Sequence, residues 1–148
     1  MNKNKKEKIK EDYLITIDGV QQGEGDPDML SFSTFGDFYK KCDDYYITYN
    51  ESEATGFEGN VTTLKIEDNH RVTLERVGSL GSQIIIEKDK KHLCHYMTDF
   101  GDIVIGVSAM NIDNKLSDEG GNISFKYSLD INASELATNE LNINVRKM

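Results

Sequence analysis

In Ile123-Ser124-Phe125-Lys126-Tyr127-Ser128-Leu129-Asp130-Ile131-Asn132 every second residue is apolar. Successive side chains of a strand point to opposite faces, so Ile123, Phe125, Tyr127, Leu129 and Ile131 cover one face and the polar residues the other. A period of two held over that length defines a β-strand buried on one side. Working outward, the same alternation returns downstream in Leu141, Ile143 and Val145, after a stretch, Ala133 to Asn139, that reads as a single helical turn. Upstream, Asn111 to Gly121 reads as a polar loop, and Ile103 to Ala109 as a strand with Ile103, Ile105 and Val107 on one face.

Further strands are expected at Lys91 to Asp99, Ser82 to Glu87, His70 to Val77, Val61 to Glu67, Tyr45 to Asn50, Phe38 to Lys41, Met29 to Phe35 and Tyr13 to Ile17. Turn residues separate them: Phe100-Gly101-Asp102, Lys88-Asp89-Lys90, Asp68-Asn69, Cys42-Asp43-Asp44 and Gly36-Asp37. The segment Asp18 to Asp28, with three glycines and Pro27, is expected to be a loop, and Glu51 to Gly59 a turn or bulge. Nowhere does a spacing of three and four persist over a helix's length. Roughly nine or ten short strands at regular intervals give an all-β chain. Short connections favour antiparallel neighbours in sequence order, and one-sided alternation favours a single apolar interior. The expected architecture is therefore a mostly up-and-down closed β-barrel of about 8–10 strands, ahead of a sandwich. Such a barrel has room inside for a small ligand.

The chain has 148 residues, long enough to bury a core without disulfide or metal staples. Five of its 17 basic residues fall in Met1 to Lys10, whereas the remainder holds nearly all of its 26 acidic ones. A flexible lysine-rich tail over residues 1–12 and one domain over 13–148 follow as the expected organisation. The acidic body repels a phosphate backbone, which argues against nucleic acid as its partner. No apolar run reaches the roughly 20 residues of a membrane helix, and the N-terminal segment has no hydrophobic stretch of a secretory signal. A cytoplasmic monomer or homodimer with two free thiols, Cys42 and Cys94, is the expectation.

Two strands carry charge on an apolar face. Tyr45, Ile47 and Tyr49 share a face that runs on into Glu51 and Glu53, and Val72 and Leu74 share one with Arg76. A guanidinium facing inward needs an anion, because an unpaired buried charge costs several kcal/mol. Three readings stay open: an internal Arg76–Glu51 pair, an Arg76 that meets a ligand, and a surface Arg76 reached by a one-residue slip of register. Tyr39, Tyr45, Tyr46, Tyr49, Tyr96 and Tyr127 suit either strand packing or a pocket wall with hydroxyl tips. On a strand His92 and Cys94 share a face while His95 lies opposite, so no metal site is expected there. No Gly-x-Ser-x-Gly and no phosphate-binding glycine loop occur, and no cofactor is expected.

Gly36-Asp37-Phe38-Tyr39, Tyr45-Tyr46-Ile47-Thr48-Tyr49-Asn50-Glu51 with Gly56, and Thr63-Leu64-Lys65-Ile66 have a familiar order and spacing. Val72-Thr73-Leu74-Glu75-Arg76-Val77-Gly78, Tyr96-Met97-Thr98-Asp99-Phe100-Gly101 and Gly121 to Leu129 continue it. In these segments the chain resembles the YwiB-like family of uncharacterised bacterial proteins. The resemblance implies a calycin-like, lipocalin-like barrel and carries no activity with it. The function expected from the residues is binding of a small amphipathic or anionic ligand in the barrel mouth. Arg76 and Glu51 would supply its polar end, and Tyr45, Tyr49 and Tyr127 its walls. A solidly packed barrel acting as a protein-interaction module is the alternative, and a hydrolase acting on a small ester or phosphate a weaker one.

Overall fold

The computed structural model describes residues 9–98, 100–132 and 134–148. The expected tail lies outside them as far as residue 8, as do Asp99, at the end of one expected strand, and Ala133, at the start of the expected helical turn. Ten strands are described: β1 (Tyr13–Gln22), β2 (Asp28–Lys41), β3 (Asp44–Asn50), β4 (Val61–Glu67) and β5 (Arg71–Val77), then β6 (Ser82–Glu87), β7 (Lys91–Thr98), β8 (Gly101–Ser117), β9 (Gly120–Ile131) and β10 (Ser134–Lys147). Each pairs antiparallel with its neighbours in sequence, and β10 pairs with β1, so the order around the closed barrel is the order along the chain. Closure leaves no edge strand, and the inward residues form one core that includes Ile15, Ile47, Ile66, Val72, Phe125 and Ile143. No helix of the described residues is long and apolar enough to cross a membrane.

Four expectations are corrected, all toward longer strands. β1 runs through Gly19 to Gln22 because both of its neighbours pair with it there, Gly19 with Leu141 and Leu30. Gly36 neither turns nor ends β2. A side chain there would collide with the Thr48 carbonyl oxygen and the Ile15 side chain, so the missing Cβ is what lets the strands come together. The polar stretch after Ala109 stays in β8 as far as Ser117, after a register shift between Ala109 and Asn111 that places Ile112 in the core. Residues 134–139 belong to β10, with Thr138 opposite Ser128, rather than to a helical turn.

Odd-numbered strands start, and even-numbered strands end, at one end of the barrel, which is filled with aromatic side chains. Phe38 stacks on Tyr45 with ring centroids 5.2 Å apart and meets Tyr13 edge-on at 5.5 Å. The β4–β5 turn crosses to β8: the Asn114 backbone N–H donates to Asn69 Oδ1 at 2.8 Å, and Asn114 Nδ2 donates to the Asp68 carbonyl at 3.0 Å. At the same end Arg71 joins two strand ends, donating from Nε to Glu67 Oε2 at 2.6 Å and from Nη1 to Glu87 Oε1 at 3.3 Å. His92 Nε2 lies 3.0 Å and His70 Nε2 3.5 Å from the Glu87 carboxylate, with Lys90 at 4.0 Å, and Lys65 lies 4.0 Å from Glu67.

The hydrogen bond from Arg71 holds the Glu67 carboxyl below its usual range, and that with His92 does the same for Glu87. A carboxyl whose folded pKa is depressed contributes stability above its unfolded pKa and loses it as pH falls through the folded value. Arg71→Gln is therefore expected to lower the urea midpoint at neutral pH, with the gap to the parent protein closing between about pH 5 and pH 3. Equal midpoints at neutral pH would remove this network from the stability of the barrel.

Candidate functional site

The opposite end of the barrel is hollow. A cavity of about 440 Å³ lies between the starts of the even strands and the ends of the odd ones. Ile17, Phe32, Leu64, Leu74, Ile84 and Ile105 form its apolar wall, and the exposed side chains of Met29, Leu30 and Leu136 stand at its mouth. Mostly apolar concavities of this size with a few converging polar groups are what small-molecule sites look like.

Four of the polar lining residues, Tyr49, Thr62, Arg76 and Tyr96, come from one circumferential row. Register places Tyr49 opposite Thr62, Thr62 opposite Arg76, Arg76 opposite Ser82, Ser82 opposite Tyr96 and Tyr96 opposite Ile103, across β3 to β8. Arg76 shares the inward face of Val72 and Leu74, as its spacing implies, and its side chain is only 11% exposed. Glu51, just past β3, is 3% exposed and lies with Oε2 3.6 Å from Arg76 Nε. That is close enough for charge attraction and too long for a hydrogen bond, and Arg76 Nε has no hydrogen-bond partner. Glu51 is served instead by hydroxyls, Thr62 donating to Oε2 at 2.7 Å and Thr55 to Oε1 at 3.1 Å. The ring of Phe57 lies against the guanidinium, 3.6 Å from Cζ to the centroid, a favourable cation–π arrangement.

The segment carrying Glu51, Thr55 and Phe57 is held at its far end by Asn60, which is fully buried. Asn60 Nδ2 donates to the Phe57 carbonyl at 2.9 Å, and its Oδ1 accepts from the Leu80 backbone N–H at 3.1 Å. One amide thus ties the β3–β4 connection to the β5–β6 connection. Tyr49 and Tyr127 also line the cavity. Burial pushes the Tyr127 hydroxyl up to about 12, with Asn139 and Arg76 pulling the other way. Burial and the Glu51 charge raise Tyr49 as well, against the opposing pull of Arg76. Both hydroxyls remain protonated hydrogen-bond donors at neutral pH.

Of the residues singled out from sequence, Arg76, Glu51, Tyr49, Tyr96 and Tyr127 line this cavity. Tyr45 does not. It belongs to the aromatic packing of the other end, where its hydroxyl donates to Asp118 Oδ1 at 2.7 Å. Glu53 is exposed in the short 3₁₀ turn Glu53–Thr55. The histidines of β7 part company, His92 on Glu87 and His95 Nδ1 at 3.1 Å from Asp102 Oδ2, while the Cys94 thiol accepts from the Ile85 backbone N–H. Phe57, Thr62 and Asn139 line the cavity and were not foreseen, nor was the buried Ser82 opposite Arg76. The His70–Val77 and Ser82–Glu87 pairing could have yielded Ser82, whereas nothing periodic marks Phe57.

A closed, ten-stranded antiparallel barrel with a half-filled interior is thus the class of protein that fold and site define. Residues 15–143 match the family described as "Domain of unknown function (DUF1934)", and the chain belongs to that family. It is 24% identical over 125 residues to the "Uncharacterized beta-barrel protein YwiB" of Bacillus subtilis (strain 168), covering 83% of this chain and 86% of that one. The crystal structure of the ywiB protein from Bacillus subtilis superposes with a TM-score of 0.80 at 20% identity, over 92% of this chain and 91% of the other. That likeness concerns the barrel.

Truncating Arg76 leaves Glu51 as a buried charge whose only support is two hydroxyls. Arg76→Ala is expected to cost about 3 kcal/mol in urea unfolding, and Arg76→Met combined with Glu51→Gln to recover most of it. A single Arg76 variant as stable as the parent would mean that Glu51 needs no counter-charge.

Proposed function

We propose that the protein binds a small amphipathic molecule in the mouth of the barrel, polar group toward Arg76 and apolar body along the wall formed by Ile17, Phe32 and Ile105. The observation that carries this is the unpartnered Nε of Arg76 at the polar end of a mostly apolar cavity. A desolvated guanidinium donor without an acceptor costs free energy in the unliganded protein, and a ligand oxygen removes that cost. Phe57 and Glu51 fix the guanidinium before any ligand arrives, so little ordering is left to oppose binding.

A second reading, a protein-interaction surface, draws support from the outer face of β7 and β8 and the corner between them. Leu93, Met97 and Val104 are exposed there, and Phe100 is fully so.

Native mass spectrometry of gently purified protein, compared with the denatured chain, separates the two. The ligand reading expects a reproducible added mass that is absent from the Arg76→Met, Glu51→Gln double variant, while the variant keeps a cooperative thermal transition. A bare parent chain that takes up no amphiphile on incubation would overturn it, and a dimer in the same spectrum would favour the interaction surface.

A further inference from the structure

We infer that the head group taken by this cavity is a carboxylate rather than a phosphate, with Glu51 as the residue that discriminates; this inference rests on the ligand-binding reading above. The first support is an imbalance of hydrogen-bonding groups. Two buried polar atoms have no partner, Arg76 Nε in the cavity lining and Ser82 Oγ, which is directly opposite Arg76 on β6 and outside that lining. The Tyr49 and Tyr127 hydroxyls of the cavity are donors at neutral pH. The buried carboxylate of the lining, Glu51, already receives both threonine hydroxyls, Thr62 on one oxygen and Thr55 on the other, while Asp28 and Glu140 are exposed. At the buried end of the cavity the guanidinium thus keeps a donor that no acceptor of the chain meets. A guanidinium edge with neighbouring hydroxyls suits two oxygens in a plane, the geometry of a carboxylate.

The second support is charge. Glu51 lies 3.6 Å from Arg76, so the pair is formally neutral before a ligand enters. A carboxylate leaves one net negative charge in a poorly solvated space. A phosphate monoester, close to a dianion above its second pKa of about 6, leaves two and sets both against Glu51. An arginine meant for phosphate would stand among further cations. Among the described lining residues Arg76 is instead the only cation, beside the carboxylates Glu51, Asp28 and Glu140. An uncharged alcohol head meets no such repulsion, but it offers a single oxygen and no charge to the guanidinium.

Calorimetric titration with octanoate, octyl phosphate and 1-octanol, which share an apolar tail, tests this at about pH 7.5. The parent protein is expected to bind octanoate at least about tenfold more tightly than either of the others. Glu51→Gln, checked for a cooperative thermal transition, is expected to shrink the octanoate preference over octyl phosphate by about tenfold. Octyl phosphate or octanol binding as tightly as octanoate would overturn the head-group inference while leaving the cavity as a ligand site. Failure of all three to bind would overturn the ligand-binding reading with it. An unchanged ratio in Glu51→Gln would remove Glu51 as the discriminator, and should that variant fail to fold, the ratios of the parent protein decide.

Discussion

A guanidinium and a carboxylate held inside an apolar barrel is the constraint around which this end of the molecule is arranged. Neither ion can be left alone there, because each loses hydration worth several kcal/mol that only its partner and nearby dipoles replace. Attraction at 3.6 Å supplies part of the compensation, and the rest is distributed. Thr55 and Thr62 serve Glu51, the Phe57 ring covers Arg76, and Asn60 fixes the segment from which Thr55 and Phe57 come. The β3–β4 connection is therefore more than a link between strands. Its conformation is set by the charge that it helps to bury.

The same fold makes two different ends from one set of strands. An up-and-down barrel of ten strands is wider than side chains alone fill, so one end can be plugged while the other stays hollow. At the plugged end Phe38, Tyr45 and Tyr13 occupy the centre, and the β4–β5 turn reaches over to β8. The polar continuation of β8 makes this reach feasible. Beyond Ala109 that strand pairs with β9 alone, and its register shift carries Asn114 to Asn69. A plugged base gives the hollow end a floor, and Ile47, Leu64 and Phe125 pack between the two.

Alternation read from the sequence was enough to identify the β-class and the closed barrel, and it left the inward Arg76 that the structure shows as one of three open readings. It works because a one-sided strand has only one register that buries its apolar set, and Val72 and Leu74 pin the one that carries Arg76 inside. It failed where neighbours supply what the local sequence lacks. Gly19 and Gly36 resemble turn residues in isolation, yet Gly36 is the site of closest approach between strands, and Gly19 is paired on both sides. The stretch Asn111 to Ser117 looks like a loop because its strand lies where little core is left to cover. Placing Tyr45 beside Tyr49 on one face was sound for direction and blind to depth. Four residues along a strand span about 13 Å, enough to put them at different ends of the barrel.

Stability gives no reason for an ion pair at this position. Replacing a buried ion pair by apolar residues of similar volume is neutral or stabilising in many proteins, and here Ile84, Leu74 and Leu64 already line the space that such residues would fill. An apolar substitute would also remove the unpartnered Nε, a cost that the folded chain bears in the absence of ligand. A molecule that binds the folded state alone and satisfies that donor stabilises the fold by mass action. On the proposed ligand reading, the arginine whose unpartnered Nε costs the folded chain free energy would be the group that the ligand satisfies.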